Sequence, residues 1–292
     1  MPERQPGSAP SVTVHLETPS IARVHDYYLG GTANWEVDRA FGDEVLDRFP
    51  LMRRIVFAHR LFLNRAVRHM VRQGIRQFLD VGSGVPNAGA THDVADELAR
   101  ETRRPPETRV VYVDNDPVAV AHTELLLDAR GDRCRHAVVD ADLRDPDALW
   151  QLAVETELLE PAEPVGLLLI GLLHLRQPDA EGQECVPAAV AKLRELLPMG
   201  SFVAISHVSD DGVPEDVGAT LAGLKELLDR SGSGDVHWRS RCGIRSLLGD
   251  LRLVDPGWLP ATEWRPEETG PSARTTSLPC EEIIWAGVGR KG

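Results

Sequence analysis

Several features are missing from this sequence, and each absence excludes a class of protein. Residues 1–20 lack the apolar stretch of a secretion signal, and no apolar run is long enough for a membrane span. The chain has four cysteines, all far apart, so it lacks the close spacing typical of zinc sites. We therefore expect a cytoplasmic protein with free thiols, no bound metal and no membrane partner.

Positive charge is also scarce. Lysine and arginine number 32 against 45 acidic residues, which gives a formal net charge of −13. Such a surface repels phosphate backbones, so we expect no nucleic-acid partner. The most basic stretch, residues 53–76, alternates with apolar residues at helical spacing and is interpreted as a solvated helix face. No pattern in the sequence sets the oligomeric state.

The chain divides by pattern into three parts. Residues 1–18 resemble a flexible tail, residues 19–73 predict a helical cap, and residues 74–292 predict the main domain. The first helix of the cap should begin after Ser20, whose hydroxyl is a suitable N-cap, and end before Gly30.

Strand and helix patterns alternate in the main domain. Apolar runs such as those over 77–81, 109–113 and 165–172 predict buried strands, with amphipathic helices between them. Such alternation predicts an α/β fold with a doubly wound, Rossmann-like parallel sheet. The last part of the chain has two strand patterns with little helix between them, which suits a terminal antiparallel hairpin.

The strongest motif is Asp80-Val81-Gly82-Ser83-Gly84, which directly follows a predicted strand. Glycines at such a turn allow the backbone to approach a ligand closely, and ligands of open α/β sheets bind at the carboxyl ends of strands. Asn87 stands where a dinucleotide fingerprint needs a third glycine, and no lysine follows as in a nucleotide triphosphate loop. The alternative is a simple strand-to-helix turn.

The second predicted strand ends in an acid, in Val113-Asp114-Asn115-Asp116-Pro117. A carboxylate at this strand end can accept hydrogen bonds from two ribose hydroxyls. We assign this interaction to Asp114, with Asn115 beside it. Asp116 is the alternative, although it is also well placed to cap the helix that begins at Pro117.

The third strand is followed by Ala141-Asp142-Leu143. Asp142 is placed to accept a hydrogen bond from an adenine amino group, with Leu143 against the ring. An Asp-Leu pair alone is a common turn. Because it follows two similar signals at successive strand ends, the cofactor interpretation is favoured here.

These three motifs, in this order, resemble those of class I S-adenosylmethionine-dependent methyltransferases. More narrowly, the chain is similar to an actinobacterial S-adenosyl methyltransferase family, once a domain of unknown function. The narrower match is carried by segments 20–31, 60–68, 74–80 and 286–290, and extends over nearly the whole chain from Pro19. The resemblance implies S-adenosylmethionine as cofactor and a seven-stranded sheet with a reversed last strand. Thr32-Ala33 stand where the family often has a lysine and an acid.

The residues of the reacting end are harder to assign. His174 follows the apolar fourth strand and could act as a base or orient a substrate, although it could equally be a strand-end histidine bonded to backbone. Further candidates for the substrate pocket lie in the predicted cap. They are Tyr28, Gly30, Asn34 and Arg60.

Two functions of different classes follow. The first is a methyltransferase acting on a small molecule between the sheet edge and the helical cap. The second is a protein that binds S-adenosylmethionine or S-adenosylhomocysteine without turnover, as a sensor or partner subunit. An NAD-linked oxidoreductase is disfavoured because the glycine pattern is incomplete.

Overall fold

A computed structural model describes residues 17–86, 89–176, 178, 181–231, 235–271 and 283–292. The predicted flexible tail lies almost entirely outside these residues, as does Asn87. Among the described residues, no helix is long and apolar enough to cross a membrane.

The described residues form nine α-helices and eight strands. The helices are α1 (Ile21–Tyr28), α2 (Glu36–Arg48), α3 (Met52–Arg72), α4 (Thr91–Glu101), α5 (Pro117–Arg130), α6 (Pro146–Glu155), α7 (Val186–Leu196), α8 (Glu215–Arg230) and α9 (Arg241–Ser246). The strands are β1 (Gln77–Val81), β2 (Arg109–Asp114), β3 (His136–Asp140), β4 (Val165–Ile170), β5 (Phe202–Val208), β6 (Arg252–Leu253), β7 (Leu259–Pro260) and β8 (Ile284–Arg290).

All eight strands belong to one sheet in the order β3-β2-β1-β4-β5-β8-β6, with β7 also paired to β8. Strands β1 to β5 are parallel, and β8 runs antiparallel to β5, so the doubly wound α/β fold and its reversed last strand are confirmed. The described part has eight strands rather than seven, because the two residues of β7 add a short pairing to β8.

Helices cover both faces of the sheet. Successive side chains of each strand point to opposite faces, so neighbouring residues pack against different helices. Phe78 belongs to a core with residues of α2, α3 and α8, whereas the next residue, Leu79, belongs to a second core with residues of α6 and α7. Along β4, Leu167 and Leu168 divide in the same way. This two-sided burial explains why the strands are continuous apolar runs.

The N-terminal helices are joined to one another by a buried ion pair. Arg23 Nε donates to Asp38 Oδ2 at 2.7 Å, and the two side chains are 3% and 0% exposed. Asp38 also accepts the backbone N–H groups of Ser20 and Trp35, each at 2.9 Å. Asp38 therefore fixes the starts of both α1 and α2.

Ser20 stands at the N-cap position of α1, but the prediction that its hydroxyl caps the helix is wrong: no such bond forms among the described residues. The hydroxyl donates to the Asp116 carboxylate at the start of α5 instead. A charged acceptor makes the stronger hydrogen bond, so the side chain turns away from its own helix. This contact brings the N-terminal helices to the edge of the sheet.

Candidate functional site

A cleft of about 440 Å³ lies at the carboxyl ends of β1, β2 and β4, beneath the start of α1. In an open parallel sheet this is the expected place for a ligand, because the connections leave the strands in different directions there. The side chains and backbone that line it come from six separate stretches of the chain. They are Pro19 to Ala22 and His25; His59, Arg60 and Leu63; Asp80, Gly82, Ser83 and Gly84; Asp114, Asn115 and Asp116; Arg144; and Ile170, Gly171, Leu172, Leu175, Arg176 and Pro178.

The glycine loop after β1 turns tightly and packs closely against the Leu172 side chain. Gly82 has a φ of +67°, and a Cβ there would lie 2.5 Å from a Leu172 methyl carbon. Gly84 has a φ of +59°. The N–H groups of Gly82 and Ser83 both donate to the Val113 carbonyl, which ties the loop to the end of β2. Side chains at these glycines would be strained, and at Gly82 also obstructed.

Asp114 is held beneath this loop. Its Oδ2 accepts the Gly84 N–H at 2.8 Å, and its Oδ1 accepts the Asp116 N–H at 2.9 Å. Each carboxylate oxygen can accept a further hydrogen bond. Burial raises the pKa of Asp114 to about 6, against the opposing effect of these N–H donors. Asp116 accepts the N–H groups of Val118 and Ala119 and thereby caps α5.

Asp80 and Arg60 line the same part of the cleft. The Thr91 hydroxyl donates to Asp80 Oδ2 at 2.7 Å. Burial raises the pKa of Asp80 to about 6, although the Thr91 hydrogen bond and the charge of Arg60 oppose this. Within the described part of the chain, the Arg60 guanidinium has no hydrogen bond or ion pair. Burial lowers the pKa of Arg60, but the group stays charged. The cleft thus contains a cation available for a ligand.

Asp142 and Leu143 lie behind the cleft lining rather than in it. Asp142 Oδ2 accepts Asn115 Nδ2 at 3.1 Å and Arg144 Nε at 2.9 Å, and both donor residues line the cleft. Burial raises the pKa of Asp142, but the hydrogen bonds from Arg144 and Asn115 outweigh it, so the pKa lies below its ordinary value. Asp142 therefore positions the side chains of Asn115 and Arg144.

A second, apolar cavity of about 70 Å³, here called the rear pocket, shares a wall with the cleft. Its lining includes Tyr28, whose hydroxyl donates to the Gly42 carbonyl, and His174. Of the two substrate-pocket candidates in this region, Tyr28 and His174, neither lines the cleft itself. Burial lowers the pKa of His174 to about 4, and the charge of Arg239 adds to this.

Gly30 and Asn34 line neither cavity. Both belong to the turn after α1, where Asn34 Nδ2 donates to Asp26 Oδ2 at 2.7 Å and to the Gly31 carbonyl at 2.9 Å. Gly30 has a φ of +80° and ends the helix. Their positions indicate a structural part in shaping this turn.

The structure adds four residues that sequence reasoning missed. His25 and His59 line both cavities, Ser206 bonds to His59, and Arg144 lines the cleft. His25 and His59 stand in amphipathic helices, where a histidine looks like any other face residue. Arg144 alone had a local signal, because it lies two residues after Asp142 in the third motif.

The fold is a Rossmann-like doubly wound sheet, with a cleft at the ends of its parallel strands, where ligands of such sheets bind. The chain belongs to the S-adenosyl methyltransferase family, whose model matches residues 8–292. The cofactor of this family is S-adenosylmethionine.

Two solved structures are similar over their full length. One is a Thermobifida fusca YX protein with a provisional methyltransferase assignment. Its sequence is 32% identical to this chain, the match covers 98% of this chain and 99% of the other, and the TM-score is 0.79. The other is a DUF574 family protein from Streptomyces avermitilis MA-4680. Its sequence is 28% identical to this chain, the match covers 96% of this chain and 100% of the other, and the TM-score is 0.81. A search of curated proteins finds no match.

Proposed function

We propose that this protein is an active S-adenosylmethionine-dependent methyltransferase whose acceptor is a small molecule bound between the cleft and the rear pocket. The observation that carries the proposal is the set of complementary groups in the cleft: Asp114 under the glycine loop, together with Asp80 and Arg60. The bound cofactor supplies a methyl group on a positively charged sulfur, which a nucleophile can attack in line.

The residues present fit the cofactor at both of its polar ends. The amino-acid end of S-adenosylmethionine carries an ammonium and a carboxylate. Asp80 matches the ammonium, and the unpaired guanidinium of Arg60 matches the carboxylate, for which arginine offers paired donors. Asp114 matches the ribose hydroxyls, since its oxygens keep free acceptor positions beside the loop. Asn115 and Arg144 also line the cleft, and we assign them to the adenosine end.

The small size of the enclosed volumes supports a small-molecule acceptor. The rear pocket measures about 70 Å³ and the cleft about 440 Å³, part of which the cofactor must fill. The net charge of −13 also disfavours a polyanionic acceptor.

Arg60→Ala is expected to raise the dissociation constant of S-adenosylmethionine by about tenfold, because it removes one charge-assisted hydrogen-bonding group, worth roughly 1.5–3 kcal/mol. Isothermal titration would measure this, with NAD as the comparison ligand. Arg54→Ala is the matched control, since Arg54 is an exposed residue of the same helix. If Arg60→Ala and the wild type bind S-adenosylmethionine with equal affinity, Arg60 does not contact the cofactor. If the wild type binds NAD more tightly than S-adenosylmethionine, the assignment of the cofactor site is rejected.

Catalysis is tested separately from binding. Incubation with methyl-labelled S-adenosylmethionine and a panel of small molecules should give a labelled product, detected by mass spectrometry. Tight cofactor binding without transfer to any member of a broad panel would favour a binding protein without turnover.

Cofactor affinity should fall as the pH is lowered through about 6. Burial raises the pKa of both Asp80 and Asp114 to about 6, so both are ionised at pH 7.5 and become protonated below 6. Protonation removes the negative charge that faces the ammonium and weakens the acceptors for ribose. We expect an increase in the dissociation constant of about tenfold or more between pH 7.5 and pH 5. Titrations at four pH values check this, and Asp80→Asn should make the dependence shallower, leaving the part due to Asp114. A flat wild-type profile would contradict the assignment.

A further inference from the structure

The rear pocket and the cleft are in contact through a small set of shared residues. Ile21, His25, His59, Gly171 and Leu175 line both cavities. A molecule in the rear pocket would therefore meet a ligand in the cleft across this shared wall. Two of the five residues are histidines, and a third histidine, His174, lines the rear pocket only.

His59 is the histidine that the surrounding structure holds in place. Its side chain is 4% exposed, and its Nδ1 lies 2.8 Å from the Ser206 hydroxyl oxygen. Gly171, with a φ of +65°, packs against the ring, and a Cβ there would lie 3.3 Å from His59 Cγ. The other ring nitrogen, Nε2, is buried and has no hydrogen-bond partner within the described residues. A fixed imidazole with one unused nitrogen is thus part of the shared wall.

His59 has a hydrogen-bond partner for its charged form, although burial and the nearby histidines lower the pKa of its ring well below the ordinary value. The Ser206 oxygen can accept the Nδ1–H of an imidazolium, whereas the buried His174 Nδ1 lacks a partner among the described residues. The charge of Arg239 also opposes protonation of His174. Burial lowers the pKa of His25 to about 3, and the nearby Arg60 contributes to this.

The rest of the rear pocket selects against charge. Its described lining is aliphatic and aromatic apart from the three histidines, and burial lowers the pKa of each of them below its ordinary value, so all are neutral at pH 7. A charged molecule would lose its hydration there without gaining a counter-charge. The cavity is smaller than the roughly 150 Å³ that holds benzene. A single ring therefore fits only if part of it lies in the adjoining cleft.

We propose that the methyl acceptor is an uncharged, single-ring compound with a phenol-type hydroxyl, that its ring lies partly in the rear pocket and partly in the adjoining cleft, and that His59 removes the hydroxyl proton. This inference rests on the proposed function. Ser206 is a positioning residue, which orients His59 and accepts the Nδ1–H of its charged form.

The chemical step balances with the groups named. The acceptor oxygen forms a bond to the methyl carbon while the carbon–sulfur bond breaks and its electron pair stays on sulfur. The hydroxyl proton passes to Nε2 of His59, so the positive charge moves from the sulfonium to the imidazole. A weak base suffices, because the hydroxyl becomes strongly acidic as its oxygen is alkylated.

Binding of p-cresol, p-toluate and 4-methylbenzylamine tests the pocket without turnover. In the presence of S-adenosylhomocysteine, isothermal titration should show p-cresol binding at least about tenfold more tightly than the anion or the cation. Val56→Phe, which fills the rear pocket, should abolish p-cresol binding and leave cofactor binding intact, whereas Val37→Phe outside both cavities should change neither. Should Val56→Phe fail to fold, Met52→Trp replaces it, at a half-buried position that lines the rear pocket but not the cleft.

Transfer to p-cresol tests the base. His59→Gln should lower the rate by about 100-fold with unchanged p-cresol and cofactor affinities, and His122→Gln on α5 should have no effect. Ser206→Ala should lower kcat with little change in KM. The inference would be overturned, and the proposed function left standing, by any of four results. The first two concern binding: cofactor binding without p-cresol binding, or tighter binding of either charged probe than of p-cresol. The other two concern catalysis: faster transfer to p-toluidine than to p-cresol, or full activity of His59→Gln. Absence of cofactor binding would reject both.

Discussion

Asp114→Ala is expected to raise the dissociation constant of S-adenosylmethionine by on the order of 100-fold. The wild-type carboxylate offers charged acceptors for two ribose hydroxyls, each such bond being worth roughly 1.5–3 kcal/mol. The same carboxylate holds the Gly84 N–H at 2.8 Å and the Asp116 N–H at 2.9 Å, so its loss also releases the glycine loop. Isothermal titration with the purified variant measures the effect.

Asp140→Ala is the matched control for this substitution. Asp140 pairs in register with Asp114 on the adjacent strand, but it is exposed and does not line the cleft. Its replacement should leave cofactor affinity unchanged. Asp114→Asn keeps an acceptor oxygen without the charge and should fall between alanine and wild type. If Asp114→Ala bound the cofactor as tightly as the wild type, another residue would have to bind the ribose hydroxyls.

Asp38→Ala should reduce the free energy of unfolding by about 3–5 kcal/mol, the usual cost of removing one partner of a buried ion pair. The substitution leaves the Arg23 guanidinium, 3% exposed, without its main counter-charge. It also frees the N–H groups of Ser20 and Trp35. Urea denaturation followed by circular dichroism measures the loss.

Asp47→Ala provides the comparison, since Asp47 is exposed on the same helix and its loss should change stability by no more than about 0.5 kcal/mol. Because Ser20 lines the cleft and bonds to Asp116, Asp38→Ala should also weaken cofactor binding. A loss of stability below about 1 kcal/mol would show that Arg23 finds adequate compensation from the Thr18 carbonyl and the Trp35 ring.

The sequence determined the sheet and one side of the site. The strands are buried on both faces, so their apolar runs could be recognised without knowing what covers them. The proposed cofactor residues Gly82, Gly84 and Asp114 stand at or just after the ends of such strands, and parallel strands bring their carboxyl ends to one edge. Their placement therefore follows from local pattern and topology alone.

The other side of the site was decided by tertiary structure. His59 stands in the helix of residues 52–72, and Ser206 in a strand 147 residues later, so no local spacing joins them. The interaction of Ser20 with Asp116 spans 96 residues and displaces the local cap that the sequence favours. Such contacts depend on how helices pack across the sheet, whereas a sequence pattern reports only which face of each element is buried.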